Sequence, residues 1–236
     1  MKRGSMLLPK LLLLALCVTG ASLAGAKAPE PAKMPEKTAA AVTNAAPAAT
    51  NVFVELFNGR TLAGWRVLPF GGAGAVKILS NGALEIGAGE VLSGLVYTNP
   101  PVRMNYEIVL EARRTLGADF FCGLTFPVYT NSCTLVIGGW GGSLTGISSI
   151  DDMDASENST GDTQAFEQNR WYTIRLRVTP EKIEAYLDNQ RIVNLDIDEH
   201  RLGMRAGEIE ACMPLGLATY QTRAEVRHIL LRRLAD

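Results

Sequence analysis

The stretch Trp171–Val178, WYTIRLRV, constrains this chain more than any other, because it alternates apolar and polar residues without a fault. Tyr172, Ile174, Leu176 and Val178 fall on one side, with Trp171, Thr173, Arg175 and Arg177 on the other. A period of two belongs to a strand with one face packed and one face wet, and it cannot lay a stripe along a helix. After a turn at Pro180 the pattern repeats, with Ile183, Ala185 and Leu187 against Lys182, Glu184 and Tyr186. The two runs therefore predict a hairpin. Asp188 to Arg191 makes the next turn, and Ile192, Val193 and Leu195 continue as a strand.

The same logic extends in both directions. VFVELF before the Asn58-Gly59 turn reads as a strand, and residues 76–86 form a hairpin about Asn81-Gly82. Residues 91–97 and 105–112 are further strands, parted by Pro100-Pro101, which cannot sit in a central strand. Residues 216–219 and 224–234 supply the last two, the final one with Val226, His228 and Leu230 opposite Arg227, Ile229 and Leu231. About ten to twelve short strands with regularly spaced turns, and no helix of useful length, predict an all-β antiparallel sandwich or jelly roll of two sheets.

Residues 118–161 combine an aromatic platform with acids. Alternation places Asp119, Phe121, Gly123 and Thr125 on one face and Phe120, Cys122 and Leu124 on the other. In the next strand Thr134, Val136, Gly138 and Trp140 stand opposite Cys133, Leu135 and Ile137. The small and polar side suits a broad groove, in which Gly123, Gly138 and Gly139 are expected to let a ligand approach the backbone. Trp140 lies among Gly138, Gly139, Gly141 and Gly142, where sequence neighbours cannot bury it. Its ring either stacks on the apolar face of a sugar or plugs one end of the sandwich. The acidic run Asp151, Asp152, Asp154 and Glu157 follows. It is a solvated loop, a catalytic or sugar-binding group, or an all-oxygen site for calcium, although it lacks the glycine and final glutamate of an EF-hand loop.

The chain ends are read from composition. Lys2, Arg3 and Lys10 precede an apolar run from Leu11 to Val18, and Ala24-Gly25-Ala26 offers a cleavage pattern, so residues 1–26 are expected to be a signal peptide for export. Lipidation at Cys17 is the less favoured alternative, because Leu16 is a poor fit beside it. Residues 27–50, rich in Ala, Pro, Lys and Glu, are expected to be a disordered linker. That leaves 51–236 as one domain. Loss of the three basic residues of the signal turns 23 basic against 24 acidic residues into 20 against 24. This balance gives no electrostatic reason to expect nucleic acid, and the mature chain has no transmembrane or polybasic membrane segment.

LFNGRTLAGW, NGALEIGAG, RWYTIRLRVTPEKIEAYLDNQRIV and AEVRHILLRRL, in that order, resemble the 3-keto-disaccharide hydrolase domain family over about residues 52–234. The resemblance implies a concanavalin A-like jelly-roll sandwich, common in secreted bacterial proteins, and cleavage of glycosides whose ring carries a 3-keto group. A carbonyl beside C2 acidifies that C–H, so a base can remove the proton and the glycosidic oxygen can leave. Such chemistry needs a base and a donor for the enolate oxygen.

Asp151, Asp154 or Glu157 is the expected base, and Arg175 the expected oxyanion partner, with Glu184 orienting it. Asp119, Thr125, Trp140, Asp152 and Tyr186 are the expected substrate contacts. A cross-strand surface ladder is the plain alternative for Arg175, Arg177, Glu184 and Tyr186. The only histidines, His200 and His228, are not at ligand spacing, so no histidine-bound metal and no cofactor is expected, with calcium left open. No G-x-S-x-G elbow or phosphate loop is present. Cys122 and Cys133 come opposite each other if the chain folds about Pro127 and Val128, which in an exported protein allows a disulfide, the alternative being two buried thiols. The expected partner is an oligosaccharide or glycoside, either cleaved or held without turnover by a binding module.

Overall fold

The structure, a computed structural model, describes residues 52–235, so the expected signal peptide and linker lie outside the described residues. Two antiparallel sheets face each other. The first contains β1 (Val54–Glu55), β3 (Val76–Ile78), β4 (Leu84–Ile86), β6 (Tyr106–Leu116), β11 (Tyr172–Val178), β12 (Lys182–Leu187), β13 (Gln190–Asp196) and β15 (Arg223–Arg233). Its order is β13-β12-β11-β6-β15-β4-β3, with β1 also on β15. The second contains β2 (Trp65–Val67), β5 (Leu92–Tyr97), β7 (Cys122–Val128), β8 (Asn131–Gly139), β9 (Leu144–Ser148), β10 (Asp162–Thr163) and β14 (Gly216–Tyr220), in the order β10-β9-β8-β7-β14-β5-β2. Crossing between sheets by non-consecutive neighbours gives the expected jelly-roll sandwich.

Alternation builds the core. Tyr172, Ile174, Leu176 and Val178 of β11, and Tyr106, Ile108, Leu110 and Ala112 of β6, point inward to meet Cys122, Leu124, Phe126 and Val128 of β7 and Cys133, Leu135 and Ile137 of β8. Each large apolar side chain removed from water there contributes about 1.5–3 kcal/mol. Trp65 is buried and its Nε1 donates to the Leu56 carbonyl at 2.7 Å. The only helical turn among the described residues is the 3₁₀ segment Glu208–Cys212, and no helix there is long and apolar enough to cross a membrane.

Three local expectations are corrected. In β15 the inward set is Ala224 and Val226, then Ile229 and Leu231, because a bulge between Arg227 and Leu230 inserts one residue. His228, at φ 53°, is that residue, and it turns outward. At the entry to β7, Phe121 joins the main core while Phe120 goes to the outer side with Gly123, since regular pairing begins only at Cys122. Finally, Cys122 pairs with Ile137 and Cys133 with Phe126, so the two cysteines are not opposite each other. The hairpin turns at Tyr129-Thr130, beyond the assumed pivot, and Cys122, Cys133 and Cys212 are free, buried thiols whose pKa burial pushes up to about 12.

Candidate functional site

A concavity of about 410 Å³ opens on the outer face of the second sheet. That face is set by the residues that alternate with the core: Thr134 and Val136 of β8 and Ser148 of β9, which pairs with Thr134. Phe120 and Tyr220 stand beside them with ring centroids 5.9 Å apart. Trp140 forms one wall, and Arg205 and Glu208, from the connection between β13 and β14, form another. The volume is that of a small-ligand site.

Trp140 is 42% exposed because the chain turns sharply beneath it. Its own φ is 48°, and the turn is closed by Gly142 N–H and Ser143 N–H donating to the Gly139 carbonyl. Gly142 is required there: at φ 107°, a Cβ would stand 2.6 Å from the Ala118 carbonyl oxygen. Two further groups lock the turn. Asp119 Oδ2 accepts the Gly141 N–H at 2.9 Å, while its Oδ1 accepts Phe120 N–H at 2.7 Å. Arg114, almost fully buried, donates to the carbonyls of Asp119, Gly142 and Phe166. Asp119 thus lines the site with both oxygens already committed to backbone N–H groups.

The expected close approach of ligand at the glycines is corrected. A Cβ on Gly123 would meet the Phe120 ring at 3.0 Å, one on Gly138 the Phe121 ring at 3.0 Å, and one on Gly139 the Val136 side chain at 2.8 Å. These glycines make room for the protein's own side chains. Thr125 is also covered: it is fully buried, with its hydroxyl 2.9 Å from that of Thr134.

The acidic run forms a strap. Asp151 lies 2.6 Å from His200 Nδ1 and accepts Arg201 N–H at 2.8 Å. Asp152 pairs with Arg201 at 2.8 Å, and Asp154 with Arg205 at 3.0 Å. Asp154 also accepts the Ser148 hydroxyl at 2.6 Å, and Glu157 accepts the backbone N–H of Asp154. The His200 contact, reinforced by the Arg201 N–H, holds the Asp151 carboxyl below the usual range. The acids therefore fasten residues 200–205, and through them Arg205, to the end of β9. Directed at different partners, they do not converge on one ion, and among the described residues no group of three His, Cys, Asp or Glu could hold a metal.

Arg175 and Tyr186 are not brought to this concavity. They lie on the outer face of the first sheet, where the Arg175 guanidinium sits 3.7 Å over the Tyr186 ring and pairs with the buried Glu107. Arg177 and Arg191 both pair with Glu184, the ladder that was the plain alternative. The residues that sequence reasoning missed are Phe120, Tyr220, Arg205 and Glu208. The Glu208 side chain makes no hydrogen bond or ion pair within the described residues, so among the acids lining the concavity it alone keeps both oxygens uncommitted. The available signal was weak: R-A-G-E-I-E between two strands is a polar connection without a period.

The sequence model of the 3-keto-alpha-glucoside-1,2-lyase-like domain matches residues 52–232. A search of curated proteins finds no match. Among solved structures of similar fold is a protein of Parabacteroides distasonis ATCC 8503 assigned as a glycosyl hydrolase, 14% identical, covering 77% of this chain and 94% of that one at a TM-score of 0.50. The Crh5 transglycosylase in complex with NAG is 10% identical, covering 78% and 84%, at a TM-score of 0.52. The carbohydrate binding module CBM66 from Bacillus subtilis is 12% identical, covering 72% and 95%, at 0.45. At these identities the first two likenesses show the fold alone.

Proposed function

The chain belongs to the 3-keto-alpha-glucoside-1,2-lyase-like domain family, and on that premise we propose that it cleaves a glucoside bearing a ketone at C3 by elimination across C1 and C2. The observation that carries the reading is the convergence of an exposed indole, an anchored guanidinium and an uncommitted carboxylate, Trp140, Arg205 and Glu208, on one concavity. Trp140 offers a stacking surface for the sugar's C–H face. Glu208 takes the C2 proton, and the electron pair moves onto the C3 oxygen, where Arg205 stabilises the enolate. The enolate then collapses, the C1–O bond breaks, and the departing oxygen takes up a proton. Water adding at C1, with return of a proton to C2, gives the free 3-keto sugar. Arg205 and Glu208 thus take the roles first assigned to Arg175 and the 151–157 acids. The expected export signal would put this activity outside the cytoplasm.

A second reading, binding without turnover, is favoured by one observation: all four acids of the 151–157 run are engaged in hydrogen bonds or ion pairs. Incubation with a 3-keto-glucoside in deuterated water separates the two. Elimination predicts deuterium at C2 and release of the aglycone, with both abolished in Glu208→Gln. Saturable binding with no label at C2 would leave the module reading and overturn the lyase.

A further inference from the structure

A second concavity of about 370 Å³ lies on the other side of the segment that carries Arg205 and Glu208. The segment is a partition: Arg205, Ala206, Glu208 and Ile209 face the first concavity, and Gly203, Met204, Glu210, Met213 and Pro214 the second. Both share one floor strand. Ser132 of β8 lines the second, and Thr134 and Val136, the next two outward positions, line the first. Successive outward positions lie ~7 Å apart along a strand, so Ser132 and Val136 are separated by roughly 13 Å. Met204, which lines the second hollow, has its Sδ 3.7 Å from the hydroxyl of Thr134, which lines the first.

The chemistry of the second hollow is that of a polyol site. Met204, Met213 and Pro214 give an apolar surface, and Met213 is 42% exposed. Around it stand donors and acceptors in mixture. Arg103 Nη1 donates to the Tyr129 carbonyl at 3.0 Å and to the Asn131 carbonyl at 3.5 Å, which fixes the guanidinium and leaves its Nε and Nη2 without a partner among the described residues. Asn131 Nδ2 donates to the Leu202 carbonyl, which leaves its Oδ1 as an acceptor. Glu210 uses one oxygen on the Gly207 N–H, and among the described residues its other oxygen and the Thr130 hydroxyl have no partner. A sugar hydroxyl donates and accepts at once, so interleaved groups over an apolar patch match it better than they match an anion or an apolar ligand.

We propose that this second hollow is a distal subsite for a gluco-oligosaccharide whose reacting unit occupies the Trp140 concavity, the chain crossing over Met204. The inference rests on the proposed function and adds substrate length to it: the protein prefers a chain longer than a disaccharide. The distal unit is held by Arg103, Asn131 and Glu210 and plays no part in the bond that breaks.

The test is calorimetric titration of the full domain with cello- and malto-oligosaccharides, from monomer to hexamer, for the wild type, Arg103→Ala and Thr130→Tyr. The second variant fills the hollow without removing a hydrogen bond, which guards against a turn disturbed by loss of Arg103. The proposal predicts that affinity in one series rises about tenfold beyond the disaccharide, the worth of one or two net hydrogen bonds. Both variants should lose that increment and keep the wild-type affinity for the disaccharide. A wild type that binds the disaccharide through Trp140 with no gain from longer chains overturns the subsite and leaves the proposed function standing. An increment that survives in both variants also overturns it. Failure of every saccharide to bind overturns the subsite and leaves the proposed function to its own test with a 3-keto-glucoside.

Discussion

Asp154 Oδ2 lies 3.0 Å from Arg205 Nη1, and this contact ties the wall of the Trp140 concavity to the strand that forms its floor. Asp154 is itself fixed by the Ser148 hydroxyl at 2.6 Å, so the guanidinium is positioned by a chain of two polar contacts beginning on β9. Arg205 is otherwise well exposed, and its ring contact among the described residues is a loose one, 5.8 Å over Trp140. An exposed pair of this kind adds little to global stability. Its value lies in orientation.

Asp154→Asn should therefore leave the unfolding midpoint within about 0.5–1 kcal/mol of wild type while lowering turnover of a 3-keto-glucoside about tenfold, because Arg205 is no longer held for the developing oxyanion. Steady-state kinetics and denaturant melts on the same preparation check this. Equal losses in both would assign Asp154 a purely structural part.

The same strap predicts a dependence of stability on pH. The folded pKa of Asp151 is depressed by His200 and the Arg201 N–H. Its contribution is therefore present above the unfolded carboxylate value of about 3.9 and is lost as pH falls through the lower folded value. Asp151→Asn should be less stable than wild type at neutral pH, and the difference should shrink toward zero below about pH 4. A gap that stays constant through that window would show that the carboxylate's charge is not what matters.

Arg114 holds the Trp140 turn from behind with donors to three carbonyls and, among the described residues, no carboxylate partner. Arg114→Met keeps the stem's packing and leaves those carbonyls buried and unpaired, at a cost of about 3 kcal/mol. In a background where Trp65 and Trp171 are phenylalanine, the emission of Trp140 should shift as the turn loosens. A fall in stability with no change in that emission would separate Arg114 from the platform.

The sheets were legible because burial on one side of a strand leaves a period of two, as in Tyr172–Val178. The exceptions are places where pairing is irregular. One inserted residue at His228 reverses every face that follows, and nothing in VRHILL marks it. For the site, Trp140 could be read from its glycine setting, since local neighbours could not cover it. The acids were found, but their partners His200, Arg201 and Arg205 lie some 50 positions away, on a connection with no period that follows β13, so their pairing was invisible. Arg175 and Tyr186 show the opposite failure. Their face was read correctly as outward, and what the residues alone could not tell is which of two outward faces carries the hollow.

The most direct measurement is titration of Trp140 fluorescence, in the Trp65→Phe, Trp171→Phe background, with a 3-keto-glucoside under conditions where turnover is followed in parallel. The account predicts a saturable change in emission with a midpoint matching the kinetic KM, and about a tenfold weaker KM when Trp140 is replaced by Ala. Turnover that proceeds with Trp140 emission unchanged, or that is abolished by Arg175→Gln but not by Glu208→Gln, would contradict it and move the site to the other sheet.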